Sequence, residues 1–218
     1  MGRHPWWMDA PIPAMPTFEP VFIPDDYFRE LTKGEVFADA ARPLEIDMGC
    51  GDGSFLIAMA QQFPERNFLG VERLAGRVTK VAKKITAAGL ENARVLRLES
   101  AYTVGWLLPA ASVARLHLLC PDPWPKKKHH ARRLMLIEEF QKGLLRVLEP
   151  QGEFLFKTDD APYFEVGTEA WDGIREVERE EWPADAFFYA QTDFERQWLR
   201  QGKTMNRARW RKRPQGCA

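Results

Sequence analysis

Residues 44–54 of the 218-residue chain read Leu-Glu-Ile-Asp-Met-Gly-Cys-Gly-Asp-Gly-Ser, an apolar run that passes into three closely spaced glycines. The run at 44–48 predicts a buried strand. The glycines, Gly49 and Gly51 foremost, predict a tight turn whose backbone approaches a ligand closely. Ser54 stands near the start of a predicted helix, which Pro64 ends. A strand, a glycine-rich turn and a helix in this order indicate the first unit of an α/β fold.

The same alternation of strand and helix patterns continues along most of the chain. Strands are predicted at residues 44–48, 67–71, 94–98, 113–119 and 153–157, and helices at 54–63, 74–88, 102–108, 131–148 and 162–174. Beyond residue 175 we expect a strand, a loop, a short helix near 194–200 and a closing strand near 203–211. This order predicts a mostly parallel sheet with helices on both faces, and it places functional residues in the loops beyond the carboxyl ends of the strands.

The bulk composition is that of a folded protein with a sizeable core. Hydrophobic residues make up 45% of the chain, and 218 residues suit one large domain with a modest extension. We predict an irregular N-terminal arm at residues 1–40, whose first 20 residues are rich in Pro and Trp, and a folded domain at residues 41–218.

The cysteine pattern bears on the compartment. The three cysteines, Cys50, Cys120 and Cys217, are widely spaced and form no Cys-x-x-Cys pair. This pattern argues against a disulfide framework or a zinc cage and favours a reducing compartment. No apolar run reaches about 18 residues, so no membrane-spanning helix is expected. We therefore predict a cytoplasmic protein that does not associate with a membrane.

Charge is balanced in total but unevenly distributed. Lys plus Arg and Asp plus Glu each number 31, so the formal net charge is zero. Basic residues dominate from Lys126 to Arg133 and again after Glu195, whereas acids dominate from Asp159 to Asp185. Opposed blocks of charge suggest a surface for a polyanion that is set apart from an acidic surface.

Carboxylates stand at the predicted ligand-binding edge of the sheet. Glu45 and Asp52 flank the glycine turn, where their charges repel a pyrophosphate and attract a cation. Glu72 ends the second predicted strand about 20 residues beyond the glycines, where an acid accepts hydrogen bonds from ribose hydroxyls. Glu99 ends the third predicted strand and is placed to meet an adenine amino group. The alternative for any one of these acids is a plain surface carboxylate.

The loop after the fourth predicted strand carries the most informative residues. It reads Pro-Asp-Pro-Trp-Pro-Lys-Lys-Lys-His-His from position 121, so that Asp122 lies between two prolines that stiffen its backbone. Trp124 can stack on a base, and Lys126 with the basic residues after it can meet phosphates. A proline-kinked loop with a solvated basic cluster is the alternative. The neighbouring histidines and Cys120 show no recognised ligand spacing, so no metal site is predicted.

Five stretches of the chain resemble the bacterial tRNA (guanine-N7-)-methyltransferases. They are LEIDMGCGDGSFL from 44, FLGVER from 68, PDPWPKKKHHARRL from 121, FKTDDAPYFE from 156 and TDFERQWLRQGK from 192. The resemblance implies a Rossmann-like class I methyltransferase fold with a mostly parallel seven-stranded sheet and a C-terminal antiparallel strand pair. It implies transfer of a methyl group from S-adenosyl-L-methionine to N7 of a guanine in tRNA, in the variable loop. We expect no metal and no obligatory protein partner.

Functional residues follow from the resemblance position by position. It implies a catalytic role for Asp122 and cofactor contacts at four acids, Glu45, Glu72, Glu99 and Asp122. It implies tRNA contacts at Lys126, Asp159, Thr192, Asp193, Phe194 and Glu195. Helix capping is the alternative for Asp159, and the spacing from Thr192 to Glu195 is also that of a capping box.

Two positions depart from the family pattern. Asp47 stands where the family usually has glycine, an exchange that is costly if the backbone there needs a positive φ. It also adds a charge beside the cofactor. Glu99 stands where Asp or Asn is common, and its side chain reaches further toward the same group.

The implied chemistry needs no general base, because N7 of guanine carries a free lone pair. The protein then contributes alignment and negative charge near the ring, which becomes cationic. We hypothesise that Asp122 accepts hydrogen bonds from the guanine N1–H and exocyclic amine, or orients the cofactor's amino group. Asp159 and Glu195 are candidates to share this duty.

Three other functions fit parts of the pattern. One is a methyltransferase for an exocyclic amine of adenine or cytosine, whose loop usually has two prolines before the aromatic residue, whereas only Pro123 separates Asp122 from Trp124. Another is a NAD-dependent oxidoreductase, against which Ser54 at the last position of the GxGxxG pattern counts. The third is a catalytically silent tRNA-binding protein, which should lack the cofactor acids that this chain retains.

Overall fold

A mixed sheet of eight strands forms the centre of the computed structural model, which describes residues 19–214. The strands are β1 (Val21–Phe22), β2 (Leu44–Met48), β3 (Asn67–Val71), β4 (Ala93–Leu96), β5 (Val113–Leu119), β6 (Leu148–Thr158), β7 (Val177–Glu180) and β8 (Asn206–Lys212). Their order across the sheet is β1-β4-β3-β2-β5-β6-β8-β7. Neighbours from β1 to β6 run parallel, and β8 is antiparallel to β6 and β7. The antiparallel C-terminal pair is confirmed, and the sheet has one strand more than the seven predicted because β1 pairs with β4.

Helices cover both faces of this sheet, as predicted. They are α1 (Lys33–Val36), α2 (Ser54–Gln62), α3 (Ala75–Ala87), α4 (Ser100–Tyr102), α5 (Glu138–Val147), α6 (Ala161–Asp172) and α7 (Asp193–Arg200). A π-helical turn at Thr103–Leu107 continues α4. Buried apolar residues form two clusters, and Leu69 belongs to one while its neighbour Phe68 belongs to the other. Side chains alternate across a strand, so the two clusters lie on opposite faces.

The first half of the long helix predicted at residues 131–148 is wrong. Two 3-10 turns, Lys127–Arg132 and Leu134–Leu136, precede α5, which begins only at Glu138. The backbone N–H of Met135 donates to the Tyr163 hydroxyl (3.1 Å), and the Met135 carbonyl accepts from the Trp171 indole (3.2 Å). These bonds to distant side chains satisfy backbone groups that a continuous helix would otherwise pair.

Part of the predicted N-terminal arm belongs to the fold. Residues 19–40 contribute β1 and α1, and four of their apolar side chains are buried in the larger core cluster: Phe22, Leu31, Val36 and Phe37. Residues 1–18 lie outside the described residues. The division of the chain at residue 40 therefore stays a prediction.

Three basic residues of β8, Arg209, Arg211 and Lys212, have structural partners. Arg209 and Arg211 both form ion pairs with Glu153 of β6 and Glu180 of β7. The Lys212 ammonium donates to two backbone carbonyls at 2.6 and 2.7 Å. The predicted separation of a basic from an acidic surface is therefore wrong for this strand, because the two blocks of charge meet across the sheet.

No helix within residues 19–214 combines the length and apolar character needed to cross a membrane.

Candidate active site

Two adjoining cavities open beyond the carboxyl ends of β2, β3 and β5. The larger has a volume of about 520 Å³ and the smaller a volume of about 250 Å³. Six residues line both cavities: Gly49, Arg77, Leu119, Cys120, Pro121 and Asp122. The glycine turn and the loop after β5 are therefore walls that the two cavities share, at the edge where ligands of such sheets bind.

The glycine turn after β2 has the geometry that the sequence predicts. Gly49, Gly51 and Gly53 have φ values of 74°, 57° and 76°, which residues with side chains rarely adopt. Asp47 lies before the turn inside β2, and its φ is not positive. The departure from the family pattern at Asp47 therefore carries no backbone strain.

Three carboxylates line the larger cavity, those of Glu72, Glu99 and Asp122. The buried Glu72 accepts hydrogen bonds from the N–H groups of Gly51 (3.2 Å) and Leu74 (2.8 Å). The exposed Glu99 caps α4 by accepting from the Tyr102 N–H (2.8 Å). A carboxylate offers about four acceptor positions, so Glu72 and Glu99 keep capacity for the hydroxyl or amine donors of a ligand.

An unpaired carboxylate faces the smaller cavity. The side chain of Asp47 is 3% exposed, and its Oδ2 has no hydrogen-bond partner among the described residues. Burial raises the pKa of Asp47 to about 8, with contributions from the nearby Asp52 and Glu72 carboxylates. Buried polar atoms without a partner are uncommon in folded proteins, and this one marks a position that a donor or a cation can complete.

Glu45 lies away from both cavities. Its fully buried carboxylate accepts hydrogen bonds from His117 Nε2 (2.8 Å) and Arg66 (2.5 Å), and Arg115 lies 3.7 Å away. Burial acts to raise the pKa of Glu45, but the hydrogen bond from His117 and the charges around it outweigh burial and hold the pKa at about 2. The position of Glu45 therefore does not support the predicted cofactor contact.

Asp122 lines both cavities from the loop after β5. Two residues that flank it, Cys120 and Trp124, have positive φ values of 48° and 46°. Such conformations cost energy in residues with side chains and persist only where the surrounding structure enforces them. Together with Pro121 and Pro123, they hold the Asp122 carboxylate at the junction of the two cavities.

The basic segment that follows this loop divides into exposed and buried residues. Lysines 126–128 are exposed, and the Arg132 guanidinium lies over the Trp124 ring at 5.1 Å. Arg133 is buried instead, and its Nε donates to the Pro123 carbonyl (2.7 Å). The segment therefore presents cations to solvent beside Asp122, while Arg133 anchors the loop.

Residues from β6 and α7 line the other side of the smaller cavity. Asp159 accepts from the Lys203 ammonium (3.2 Å), and the Thr192 side chain caps α7 by accepting from the Glu195 N–H (2.9 Å). The cap at Thr192 is therefore present, and the same residue lines the cavity, so its contact with tRNA stays a prediction. Asp160 rather than Asp159 caps α6. Phe194 is a further lining residue.

Two predicted tRNA contacts on α7 have side chains engaged within the protein. Asp193 forms an ion pair with Arg196 on the same helix. Glu195 is 5% exposed and forms a buried ion pair with Lys157 of β6. A contact between Glu195 and tRNA would require breaking this pair, so its geometry favours a role in seating α7.

Asp47 and Arg77 are among the lining residues that sequence reasoning missed. Asp47 carried a signal, since an acid within an otherwise apolar strand is unusual, but it was interpreted as a departure from the family pattern. Arg77 lines both cavities and lies 3.6 Å from Glu72. Its position on α3 does not distinguish it in sequence from the other basic residues of that helix.

Solved structures share this fold. TM-scores are 0.58 to the aminoglycoside resistance methyltransferase NpmB1 (20% identity, 84% of this chain and 94% of that chain) and 0.57 to the 16S rRNA methyltransferase KamB (20%, 82% and 95%). The TM-score to TrmN from Thermus thermophilus is 0.54, with 16% sequence identity over 79% of this chain and 45% of that chain. Residues 41–208 match a family described as putative methyltransferase. Fold and crevice thus define a Rossmann-like class I methyltransferase that depends on S-adenosyl-L-methionine.

Similar proteins of known name show to which family within this class the chain belongs. The tRNA (guanine-N(7)-)-methyltransferase of Syntrophotalea carbinolica is 36% identical over 176 residues, which cover 79% of this chain and 75% of that protein. The protein of the same name from Chlorobium phaeobacteroides is 34% identical over 188 residues, with coverages of 84% and 85%. The chain belongs to the family of bacterial tRNA (guanine-N(7)-)-methyltransferases. Membership of this family excludes the NAD-dependent oxidoreductase considered from the sequence.

Proposed function

We propose that this protein transfers a methyl group from S-adenosyl-L-methionine to N7 of a guanine in tRNA. Relatives that carry this activity in their name align over most of the chain. The observation that carries the proposal is that Asp122 lines two cavities at once, one with Glu72 and Glu99 and the other with α7. The variable loop as the target region rests on the family resemblance alone, and a tRNA substrate implies action in the cytoplasm.

The residues of the larger cavity fit an adenosine-bearing cofactor. Glu72 has acceptor capacity for ribose hydroxyls, and Glu99 has it for the adenine amine. Gly49 and Gly51 let the backbone pass close to the ligand. The buried Asp47 Oδ2, which has no partner among the described residues, offers a site for a hydrogen-bond donor or a cation and would repel a pyrophosphate.

Adenosylmethionine supplies a methyl group on a positively charged sulfur, which the N7 lone pair of guanine accepts without prior loss of a proton. No side chain of this protein therefore has to act as a general base. The side chains have to align the base and to place negative charge beside a ring that becomes cationic. These are the tasks for which a rigidly held carboxylate is suited.

Asp122 is the carboxylate that we assign to these tasks. It stands at the junction of the cavities on a loop whose backbone is fixed by two prolines and two residues of positive φ. It accepts hydrogen bonds from the guanine N1–H and exocyclic amine. Adenine has no N1–H donor and would leave the Asp122 carboxylate without a hydrogen-bond partner. Because such a loss is costly in free energy, adenine is rejected.

The surface around Asp122 suits the tRNA backbone. Exposed lysines at 126–128 contact phosphates, and Trp124 with Arg132 above it offers a stacking surface for a base. Thr192 at the N-terminal cap of α7, Phe194 on α7 and Asp159 after β6 contact the substrate from the opposite side of the smaller cavity. The ion pair between Lys157 of β6 and Glu195 positions α7 against the sheet.

The product of the reaction tests this proposal. Bulk tRNA that lacks 7-methylguanosine is incubated with the protein and methyl-labelled adenosylmethionine, and the labelled nucleoside is identified. The expected result is 7-methylguanosine, with strand cleavage at the modified nucleotide after borohydride and aniline treatment. Label in an exocyclic amine of adenine or cytosine would support the rival class of methyltransferase, and no label at all would support a silent tRNA-binding protein.

A further inference from the structure

The glycine turn and α7 meet at the side chain of Ser54. Ser54 is the first residue of α2 and follows Gly53 of the turn directly. Its hydroxyl oxygen accepts a hydrogen bond from the backbone N–H of Asp193 at 3.1 Å, although 139 positions separate the two residues in sequence. Ser54 also lines the smaller cavity, together with Thr192 and Phe194. The residue therefore joins the glycine turn to the helix on the opposite side of this cavity.

This bond completes the N-terminal cap of α7. The N–H groups in the first turn of a helix have no partners within the helix. Thr192 satisfies one of them by accepting from the Glu195 N–H (2.9 Å), but the side chain of a capping residue reaches the second or third N–H of a helix rather than the first. The first N–H of α7 is that of Asp193, and Ser54 is its acceptor. A residue of α2 thus supplies what the local cap leaves open.

The position of α7 depends on polar contacts. Among the residues of α7, all of which the structure describes, Glu195 alone is buried, and its partner is Lys157 of β6. Phe194 and Leu199 are 49% and 42% exposed. A helix that buries no apolar face is not fixed by packing. The ion pair with β6 holds α7 against the sheet, and the bond to Ser54 fixes the start of α7 relative to the glycine turn.

We propose that Ser54 is a positioning residue for tRNA, whose hydroxyl fixes the start of α7 so that Thr192 and Phe194 face the substrate. This inference rests on the proposed function, because it requires a nucleic acid in the smaller cavity. Ser54 does not have to touch the tRNA or the cofactor in this role. Methyl transfer requires that the two reactants be held in one geometry, and a bond between the glycine turn and α7 keeps the two walls of the site in register.

Loss of this bond should weaken tRNA binding more than it slows the chemical step. A single exposed hydrogen bond contributes modestly, so its removal lets α7 shift without unfolding the domain. Asp122 should keep its position, because its loop is held by two prolines and by the bond from Arg133 to the Pro123 carbonyl. Once tRNA occupies the site, the guanine should therefore react at a near-normal rate.

Single-turnover methylation at increasing tRNA concentration tests this expectation. In Ser54→Ala, the half-saturating tRNA concentration should rise roughly three- to tenfold, the worth of one hydrogen bond, while the maximal rate stays within about threefold. Ser54→Thr keeps a hydroxyl and should return half-saturation to within about twofold of the wild type. Thr86→Ala is the matched control, because it removes an exposed hydroxyl that bonds to Ala82 of the same helix, α3, and it should change neither value.

Hydrogen exchange of the Asp193 amide tests the bond itself, without substrate. Resolved by NMR, this amide should exchange roughly threefold or more faster in Ser54→Ala than in the wild type, and at the wild-type rate in Thr86→Ala. The wild type alone decides the matter if Ser54→Ala does not fold. An Asp193 amide that exchanges in the wild type as fast as in an unstructured peptide would overturn the inference.

The other outcomes separate this inference from the proposed function. The role of Ser54 is overturned by unchanged half-saturation in Ser54→Ala, by an equal rise in Thr86→Ala, by no recovery in Ser54→Thr, or by a fall in the maximal rate alone, which indicates a misfolded fraction. In each case a wild type that forms 7-methylguanosine keeps its proposed function. Filter binding gives the same comparison without the reaction. If Ser54→Ala weakens binding but the wild type forms no 7-methylguanosine, the proposed function fails and the role of Ser54 stands. If the wild type binds no tRNA, both fail.

Discussion

Glu45 Oε2 and His117 Nε2 are 2.8 Å apart, and neither side chain is exposed. Burial lowers the pKa of His117, so the ring is neutral, donates from Nε2 to Glu45 and accepts from the Tyr189 hydroxyl at Nδ1 (2.7 Å). The chain of hydrogen bonds joins β2, β5 and the segment before α7 beneath the crevice. A residue to which the family resemblance assigns a cofactor contact thus has its carboxylate engaged within the wall of the site, by His117 and Arg66.

Replacing Glu45 should destabilise the fold. Glu45→Ala leaves His117 without its acceptor and Arg66 without its buried partner, and we expect the free energy of unfolding to fall by about 3 kcal/mol. Urea denaturation measures the change. Glu65→Ala is the matched control, because Glu65 pairs with the same Arg66 (3.4 Å) from an exposed position and should cost about 1 kcal/mol or less. Equal losses for the two variants would contradict the structural role of Glu45.

The contribution of Glu45 should disappear in acid. Its pKa in the folded protein is about 2, below the ordinary value of 4.5, so its stabilisation is present above 4.5 and is lost as the pH falls from 4.5 toward 2. The difference in unfolding free energy between the wild type and Glu45→Gln should therefore be constant near neutral pH and shrink below about pH 4.5. Denaturation series at several pH values measure it. A difference that grows on acidification would show that the pKa shift has the opposite sign.

The Lys157–Glu195 pair allows a test of anchoring against substrate contact. Lys157→Met and Glu195→Leu should each destabilise the protein by about 3–5 kcal/mol, because each leaves a buried charge unpaired, and the double variant should recover much of this loss. If Glu195 only holds α7 in place, the KM for tRNA should also return most of the way to its wild-type value in the double variant. Recovery of stability without recovery of tRNA binding would instead identify Glu195 as a direct contact.

The exposed lysines at 126–128 should account for part of the salt dependence of tRNA binding. Changing all three to Gln should weaken binding and reduce the slope of log K against log salt concentration by about 2, since each phosphate contact contributes somewhat less than 1. Filter binding at several salt concentrations measures this. Changing the exposed Lys80, Lys83 and Lys142 to Gln is the control for a change of net charge alone. The same reduction in both variants would show that the position of the lysines does not matter.

Sequence patterns predicted the strands that build the site more closely than the segments between them. The bounds predicted for β2, β3 and β5 agree with the structure to the residue, because each is an apolar run at the centre of a parallel sheet. The 3-10 turns at residues 127–136 could not be predicted, because the bonds that fix Met135 come from residues about 30 positions later in the chain.

The same distinction holds for the site residues. Glu72, Glu99 and Asp122 follow parallel strands, whose carboxyl ends share one edge, so their meeting at one crevice follows from the order of the elements. Glu45 and Glu195 match the family motif equally well, but their basic partners lie 21 and 38 positions away in sequence. Only the packed structure shows that these two carboxylates are already occupied.

Methyl transfer in the proposed mechanism depends most on the position of Asp122 between the cofactor and the base. Single-turnover methylation of tRNA by Asp122→Asn, with the affinity for adenosylhomocysteine measured in parallel, tests it most directly. We expect the rate of methyl transfer to fall by about 100-fold or more, as for loss of a preorganised electrostatic contact, while the affinity for adenosylhomocysteine changes by less than about threefold. A near-normal rate in Asp122→Asn would contradict the account.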